Sequence, residues 1–386
     1  MTSRTRLLVL AISTPVIAFA IIGGFLGQAM TRDDAFQHLR VFQDVISLVL
    51  NNYVEQVDVD KAMKGAMNGL AEGLDADSAY LPPALVGTVN EQPAPADVGV
   101  ELTRQYYLRV VSAREGSPAA KAGLRTGDYV RMINDRATRD MSSYEGNRLL
   151  HGAAGSKVKL LVIRGNAADP HEIELVREKP APGEMTSRIA GPGTGYVRVL
   201  DFSKQTPSLL TQQFDTLRKQ GAERYIIDLR GTARGDLDDG IAAARLFVKT
   251  GTLTIRQSKG DAREVVPAQA SEATVTAPVV LLTDTGTAGA AEVFAAALDG
   301  NDRAALIGDR TLGRAGRQRL VKLPDGSGLW LTHVRYLTPK GEQIQEKGLT
   351  PDVEVDQPDV DFGAEPPATD ATLEKALEYL AQKKAA

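Results

Sequence analysis

The distribution of apolar and polar residues divides the 386-residue chain into segments with different periodicities. An uninterrupted apolar run comes first, followed by apolar residues spaced three and four apart, which predict amphipathic helices. Short runs of strand length then dominate residues 96–178, and strands alternate with helical segments over residues 190–356. The pattern predicts an α/β multidomain protein with an N-terminal membrane helix, a helical segment, a β-rich middle domain and a layered α/β core domain.

Residues 1–30 have the composition of a signal anchor or a signal peptide. Arg4 and Arg6 precede an apolar run from Leu7 to about Gly27, close to the ~20 residues that a bilayer-spanning helix needs. The basic flank predicts that the N-terminus stays in the cytoplasm and that the rest is exported. We expect anchoring in a bacterial-type inner membrane with the bulk in the periplasm or outside. Cleavage at the small-x-small sequence Gly27-Gln28-Ala29 is the alternative, and it would give a secreted chain.

Residues 31–81 predict two amphipathic helices, one from Thr31 to Tyr53 and a second after Asp60. The first carries apolar residues at the spacing of a helix seam: Ala35, Leu39, Phe42, Ile46, Val49 and Tyr53. The second is expected to bury its own stripe: Met63, Met67, Leu70 and Leu74. Two interpretations fit these stripes, an ordinary helical subdomain packed on its neighbours and a homodimer interface.

The amino-acid composition disfavours several classes of partner, cofactor and catalytic group. The 45 basic and 49 acidic residues give a formal net charge of −4, so nothing favours a nucleic-acid partner. The absence of cysteine excludes disulfides, thiolate metal sites and cysteine nucleophiles. Four histidines without paired spacing disfavour a zinc site. We therefore expect no metal and no cofactor.

The middle domain, residues 96–178, contains a short capped helix among its predicted strands. Residues 116–128 read GSPAAKAGLRTGD, in which Ser117 is placed to cap a helix and Gly123 to end it. The strands predicted around this run are Val98–Leu102, Leu108–Val111, Tyr129–Ile133, Val158–Ile163 and Glu172–Val176.

This run resembles a PDZ domain. The resemblance implies that Val98, Gly99 and Val100 form a loop whose backbone N–H groups receive the carboxylate of a peptide or protein C-terminus. The peptide would then lie as an added strand beside a helix near Ser143–Leu150. The alternative is a PDZ fold that bridges its neighbours and binds nothing.

The core domain, residues 190–356, is organised around Leu281–Asp299. Val279–Thr283 predicts a buried strand, two glycines predict a turn, and Ala290–Leu298 predicts a helix. Other elements predicted in this domain are strands Gly195–Phe202, Tyr225–Leu229, Ala305–Gly308, Arg319–Lys322 and Leu329–Tyr336, and helix Asp236–Thr250. Residues 357–386 predict an acidic linker followed by a C-terminal helix.

Residues 286–292 of this domain read GTAGAAE. They resemble the active-site segment of the carboxyl-terminal processing peptidases, the tail-specific serine proteases, whose pattern is Gly-(Ser/Thr)-Ala-Ser-Ala-Ser-Glu. The resemblance implies a crotonase/ClpP-like α/β core in which the first serine after alanine is the nucleophile. Gly289 occupies that position here, and a glycine has no atom that can attack a carbonyl carbon.

Two further motifs of this family are matched with substitutions. Residues 311–318 read TLGRAGRQ against Thr-x-Gly-Lys-Gly-x-x-Gln, so Arg314 occupies the position of the lysine base and Gln318 is retained. Residues 231–235 read GTARG where the resemblance implies an Asn-Asn-Pro-Gly-Gly loop that helps to form the oxyanion hole, with Arg234 at an oxyanion-loop position. Since arginine stays protonated in proteins, it cannot act as the base.

The sequence therefore predicts an exported, membrane-anchored member of this family that is catalytically inactive. It would bind peptides or protein C-termini through its PDZ domain, as a scaffold or regulator in envelope proteostasis. The alternative is an active serine-type or threonine-type endopeptidase that cleaves near protein C-termini with a rearranged site, for which Thr287 is a candidate nucleophile. The triplet Asp284-Thr285-Gly286 also matches aspartic proteases, but it occurs once and those enzymes need two facing carboxylates.

Overall fold

A computed structural model of the chain describes residues 36–165, 170–180, 185–356, 360–364 and 367–383. The chain divides into two compact units, Met1–Ala66 and Met67–Ala386. The predicted membrane or signal segment, residues 1–30, lies outside the described residues. Within the described ranges, no helix combines the length and the apolar character needed to cross a membrane.

The first unit contains helix α1, residues 36–52, and the beginning of helix α2, Val59–Glu72. The predicted helix start at Thr31 and the stripe residue Ala35 lie outside the described residues. The rest of the predicted stripe, which ends just after α1, is half-buried at Ile46 and exposed at four positions: Leu39, Phe42, Val49 and Tyr53.

The second unit opens with the rest of α2, strand β1 (Ala79–Leu81) and the short helix α3 (Pro83–Val86). Met67 is half-buried, but Leu70 is 67% exposed and Leu74 is 60% exposed. The prediction that the second helix buries its whole stripe is therefore wrong within one chain, because the face with the two leucines points to solvent.

The middle domain is an antiparallel sheet in the order β2-β3-β4-β6-β7, with β5 paired to β4. Its elements are β2 (Val100–Gln105), β3 (Tyr107–Ala113), α4 (Pro118–Lys121), β4 (Tyr129–Ile133), β5 (Arg136–Ala137), α5 (Ser143–Leu150), β6 (Lys157–Ile163) and β7 (His171–Val176). Ser117 caps α4 as predicted, since its side chain accepts the N–H of Ala120. The sheet and α5 enclose one apolar core around residues such as Leu102 and Leu160.

The core domain and the C-terminal helix complete the chain. Their elements are β8 (Thr186–Gly191), β9 (Thr194–Arg198), α6 (Thr206–Lys219), β10 (Arg224–Asp228), α7 (Leu237–Ala244), β11 (Thr252–Ser258), β12 (Arg263–Pro267), β13 (Val279–Thr283), α8 (Ala290–Asp299), β14 (Ala304–Gly308), β15 (Gly316–Lys322), β16 (Gly328–Leu337), β17 (Val353–Glu354) and α9 (Ala371–Lys383).

One sheet of the core domain has the order β17-β14-β13-β10-β9-β8 and is parallel apart from β8. Its central strands are mainly apolar, as expected for strands that are covered on both faces. Val279 and Leu281 pack with α6, α7 and α8, whereas Val280 and Leu282 pack with α9. A second sheet, in the order β1-β16-β11-β12 with β15 on β16, is antiparallel.

Part of the predicted acidic linker packs against the middle domain. Phe362 stacks on His171 with ring centroids 4.3 Å apart, and the guanidinium of Arg164 lies 4.8 Å from the centre of the Phe362 ring. Arg164 also donates to the carbonyl of Asp361 at 3.3 Å. Residues 360–364 therefore contribute to the fold rather than only connecting two parts of it.

Candidate functional site

The turn between β13 and α8 lies at the carboxyl end of the parallel sheet. Gly286 has no room for a side chain, because a Cβ there would lie 2.6 Å from the Thr126 hydroxyl and 2.9 Å from the Val111 carbonyl. Gly289 has φ of 64° and ψ of −121°, a conformation that residues with side chains rarely adopt. The nearest atom to a Cβ at Gly289 would be 3.6 Å away. Position 289 therefore has space for a small side chain, at the cost of backbone strain.

Glu292, in the first turn of α8, is fully buried and connects two loops of the site. Its carboxylate accepts the backbone N–H groups of Gly289 at 3.1 Å, Gly313 at 2.6 Å and Arg314 at 2.7 Å. It also accepts the Thr311 hydroxyl at 2.5 Å. Burial raises the pKa of Glu292 to about 7, against the lowering effect of these donors. The carboxylate thus joins the segments in which the resemblance places the nucleophile and the base.

Thr287 is also fully buried, and its hydroxyl lies 3.0 Å from the carbonyl oxygen of Leu229 and 3.1 Å from the carboxylate of Asp284. Asp284 accepts the N–H groups of Gly231 at 2.8 Å and Gly286 at 2.9 Å, and burial raises its pKa. These contacts argue against Thr287 as a nucleophile. Four buried side chains hold the backbone of the site through these hydrogen bonds: Asp284, Thr287, Glu292 and Thr311. We call this group the carboxylate frame.

A cavity of about 390 Å³ lies beside the turn. It brings together the four positions that the resemblance assigns to the peptidase site: Arg234, Gly289, Arg314 and Gln318. The side-chain amide of Gln318 donates to the Gly316 carbonyl at 3.2 Å and lies 3.1 Å from the Thr332 hydroxyl. Glu101, which belongs to the middle domain, also lines this cavity, which we call the core cleft.

Arg314 forms ion pairs where the resemblance places the lysine base. Its Nε atom lies 3.0 Å from the carboxylate of Asp77, and its Nη1 atom lies 3.9 Å from that of Glu101. Asp77 is buried and also accepts the Gln345 amide at 3.2 Å. Asp77 is the main cause that raises the pKa of Arg314 above its usual value. The cationic form of this side chain is therefore strongly favoured.

Arg234 is paired in the same way with acidic residues of the middle domain. It donates to Glu101 at 2.9 Å and to Asp97 at 2.8 Å, and Arg114 lies 3.1 Å from Asp97 on the other side. Burial raises the pKa of Asp97, but Arg234 and Arg114 lower it further, so that it stays below the usual value. We call the two core arginines and their partners the arginine cluster: Arg234, Arg314, Asp77, Asp97 and Glu101.

The sequence did not reveal the acidic members of this cluster. Asp97 and Glu101 lie 137 and 133 positions from Arg234, and no local motif marks them as its partners. The only signal was their position on either side of residues 98–100, in the loop assigned to peptide binding.

That loop leads into β2, which is the edge strand of its sheet. Gly99 has φ of 80°, and a Cβ there would lie 2.2 Å from the Ser117 Cβ, so only glycine fits. The carbonyls of Val98 and Gly99 accept the N–H groups of Ala119 at 3.1 Å and Arg114 at 2.7 Å. The beginning of the predicted peptide-binding strand is thus held in place by the segment around α4.

A second cavity, of about 380 Å³, lies between α5, β2 and the core domain. Tyr144 and Asn147 of α5 line it, together with Trp330 of the core domain. It shares three residues with the core cleft: Glu101, Arg314 and Gln318. The predicted peptide groove and the predicted peptidase site therefore meet at the arginine cluster.

Comparison with known proteins identifies both domains. Residues 193–355 match Peptidase family S41, and residues 109–164 match the PDZ domain. The carboxy-terminal processing protease CtpA of Bacillus subtilis (strain 168) is 31% identical over 372 residues, which cover 93% of this chain and 79% of that protein. The chain belongs to the carboxyl-terminal processing protease family.

Other members of the family show the same relationship. The carboxyl-terminal-processing protease of Synechocystis sp. (strain ATCC 27184 / PCC 6803 / Kazusa) is 32% identical over 277 residues, 71% of this chain and 65% of that protein. The solved structure of a photosystem II D1 C-terminal processing protease matches with a TM-score of 0.67 and 30% identity, over 82% of this chain and 86% of that chain. The motif-based predictions of the carboxyl-terminal processing protease family and of a PDZ domain are confirmed.

Proposed function

We propose that this protein is a catalytically inactive member of the family that binds peptides or protein C-termini through its middle domain. One observation carries the proposal: Arg314 stands at the base position and is ion-paired with the buried Asp77 at 3.0 Å. A Ser-Lys pair works because a desolvated lysine can lose its proton near neutral pH. An arginine beside a carboxylate keeps its proton, and Gly289 supplies no hydroxyl to activate.

The peptide-binding part of the proposal is supported by the geometry of β2. An edge strand next to a helix offers backbone N–H and C=O groups to an added strand, and the loop at residues 98–100 leads into it. The free carboxylate of the ligand would meet the backbone N–H groups of this loop. Peptides with a free C-terminus should therefore bind more tightly than the same peptides amidated, and equal binding would refute this part of the proposal.

Activity assays on the full-length protein test the inactive state. We expect no hydrolysis of an unfolded protein substrate and no covalent labelling by serine-directed phosphonates. A known active serine peptidase serves as the positive control. Stoichiometric labelling of Thr287, or of another residue in the core cleft, would instead establish the alternative, an active peptidase with a rearranged site.

Restoring the reacting groups tests how completely the site has changed. We expect Gly289→Ser with Arg314→Lys to be barely active, because the buried carboxylate of Asp77 would raise the pKa of the new lysine and keep it protonated. The 231–235 loop would also lack the backbone that aims an oxyanion donor, which is worth about 10²–10³ in rate. Adding Asp77→Asn should lower the pKa of the lysine. Full activity of the double variant would show that neither obstacle exists.

The N-terminal segment is proposed to anchor the chain in a membrane, with the bulk of the chain exported. The apolar run from Leu7 to about Gly27 and the basic residues before it support this assignment. Membrane fractions that retain the chain after alkaline extraction, with the bulk accessible to protease added outside the cytoplasm, are the expected result. Release of the whole chain in soluble form would favour a cleaved signal.

We also propose that the exposed stripes near the N-terminus form a homodimer contact. Leu39 and Phe42 of α1 are 59% and 39% exposed, and Leu70 and Leu74 are more exposed still. Leu39→Glu with Phe42→Glu should therefore shift the protein to a smaller species in analytical ultracentrifugation. An unchanged sedimentation coefficient would show that the stripe serves another purpose.

A further inference from the structure

The side chain of Asn147 occupies the place of a peptide backbone on the free edge of β2. Its Oδ1 atom accepts the Leu102 N–H at 2.8 Å, and its Nδ2 atom donates to the Leu102 carbonyl at 2.9 Å. One side-chain amide thus satisfies both backbone groups of one strand residue. A residue of an added strand would make the same two hydrogen bonds.

These two Leu102 groups lie on the side of β2 that an added strand would use. β2 pairs with β3 on its other side, and the next strand in the sheet lies beyond β3. On β3, the N–H of Val110 donates to the backbone carbonyl of Asp128, and the N–H of Leu108 lies 3.5 Å from the Thr138 hydroxyl. Both N–H groups therefore point away from β2. Their partners Leu102 and Arg104 therefore present their own backbone groups to the free edge.

The close approach of α5 lets a side chain as short as asparagine reach the strand. Gly146 precedes Asn147 and faces the sheet, where a Cβ would lie 2.1 Å from Cδ1 of Leu108 and 3.4 Å from Cδ1 of Leu102. A side chain at position 146 would displace the Leu108 methyl group, so the glycine allows α5 to pack closely on the sheet.

The side chain of Arg104, two residues after Leu102 on β2, also connects the strand to the segment before α5. The guanidinium of Arg104 donates to the carbonyls of Met141 at 2.5 Å and Arg139 at 2.7 Å, both in the segment that leads into α5. Its Nη2 atom also lies 2.9 Å from the carboxylate of Glu72. Beyond Val100, the backbone groups of Leu102 are thus occupied by Asn147, and the side chain of Arg104 ties the next outward-facing position to the segment before α5.

We propose that Asn147 is an internal gate of the peptide groove. This inference rests on the proposed peptide-binding function of the middle domain. The terminal carboxylate of a ligand docks at residues 98–100, but a ligand pairs along β2 only when the Asn147 amide leaves Leu102. The gate lowers the affinity for extended C-terminal peptides, because each binding event must break two hydrogen bonds within the protein.

Binding of a fluorescein-labelled ten-residue peptide with an apolar, free C-terminal residue tests the gate. We expect Asn147→Ala in the full-length protein to bind this peptide about tenfold more tightly than wild type, which corresponds to about 1.4 kcal/mol. Glu145→Ala is the matched control, since Glu145 lies on the same helix but pairs with Arg136 at the surface. It should bind within about twofold of wild type.

Hydrogen exchange provides the second readout. A peptic fragment that covers β2 should exchange faster in Asn147→Ala than in wild type, with the strands of the core domain unchanged. Faster exchange with equal peptide affinity overturns the gate and leaves the peptide-binding function standing. Weaker binding by Asn147→Ala also overturns it, since Asn147 would then contact the ligand. If neither protein binds the free or the amidated peptide, the peptide-binding function itself fails and the gate fails with it.

Discussion

The carboxylate frame, which bonds the backbone of two residues of the core cleft, and the arginine cluster, whose arginines line that cleft, are built in opposite ways. In the frame, Glu292 and Asp284 are satisfied by backbone N–H groups and hydroxyls of the core domain alone. In the cluster, arginines of the core domain pair with carboxylates outside it, at Asp77, Asp97 and Glu101. The frame holds the loops of the core domain in place, whereas the cluster holds the segments that carry Asp77, Asp97 and Glu101 against the core domain.

This difference explains how the chemistry of a site can change while its scaffold persists. Position 314 contributes its backbone N–H to the frame and its side chain to the cluster. A change of that side chain leaves the bond to Glu292 untouched, because the bond is made by the backbone. Gly289 contributes in the same way, through its N–H alone.

The largest effect is expected from breaking the frame. Glu292→Ala would leave three backbone N–H groups and the Thr311 hydroxyl without their buried acceptor, so we expect a loss of about 4 kcal/mol in the free energy of unfolding. Urea unfolding followed by circular dichroism measures it. Glu264→Ala, whose side chain is 66% exposed, is the control and should cost about 0.5 kcal/mol or less. Similar losses in both variants would mean that Glu292 does not organise the site.

Removing one cation of the cluster should have a smaller effect. Arg314→Ala leaves the buried Asp77 without its cation, for which we expect a loss of about 3 kcal/mol. Arg317→Ala is the matched control, because Arg317 pairs with Asp236 and Asp238 and its side chain is 39% exposed. It should cost about 0.5 kcal/mol. A negligible loss for Arg314→Ala would show that the pair with Asp77 is as weak as a surface pair.

Arg234 should be less sensitive than Arg314, since Asp97 keeps Arg114 after Arg234→Ala. We expect a loss of about 2 kcal/mol near neutral pH. The pKa of Asp97 is lowered on folding, so its pairing stabilises the fold above the unfolded value of 3.8 and is lost as pH falls through the folded value. The difference between wild type and Arg234→Ala in urea unfolding should therefore stay constant from neutral pH down to about pH 5 and shrink as the pH falls below the unfolded value of 3.8 toward the folded one. A difference that stays constant below that unfolded value as well would exclude Asp97 as the partner that matters.

The smallest effect is expected at Gly289, a residue bonded to the frame that has free space around its Cα atom. Gly289→Ala should cost about 1 kcal/mol from its positive φ alone, since the nearest atom to the new Cβ is 3.6 Å away. Gly69→Ala, on α2 with no atom within 4 Å and without a positive φ, should instead leave stability unchanged or raise it by up to about 1 kcal/mol. Differential scanning calorimetry of both variants compares them. A loss at Gly289 as large as that at Glu292 would mean that the cleft has collapsed onto this position.

The sequence predicted well those elements whose bounds depend on local signals. Val279–Thr283 and Tyr129–Ile133 appear with the predicted ends, because proline or polar residues flank these short, mainly apolar runs. The helix that the PDZ resemblance implies near Ser143–Leu150 is also present. The helix predicted over Asp236–Thr250 ends at Ala244, where hydrogen bonds to the third residue back tighten its last turn. Strand β11 was not predicted, because its last four residues are polar or half-buried and their pairing is decided by distant partners on β12 and β16.

The same division holds for the site. The family motifs predicted that Gly289, Arg314, Gln318 and Arg234 belong together, and they line one cleft. Nothing local predicted that Asp77 and Glu101 would hold these arginines, since ion pairs across domains depend on how separately folded surfaces meet. The position of Asn147 against Leu102 was equally hidden, because it depends on how closely a neighbouring glycine lets the helix approach the sheet.

Glu101 couples ligand binding in the two cavities, because its side chain lines both of them. Its carboxylate pairs with Arg234, lies 3.9 Å from Arg314 and lines both the core cleft and the groove beside α5. A ligand that binds in either cavity and reorients this side chain changes the free energy of ligand binding in the other cavity. By linkage the effect is reciprocal, so occupancy of the groove alters affinity in the core cleft by the same factor as the reverse. The state of the core cleft can in this way report on what is bound in the groove next to it.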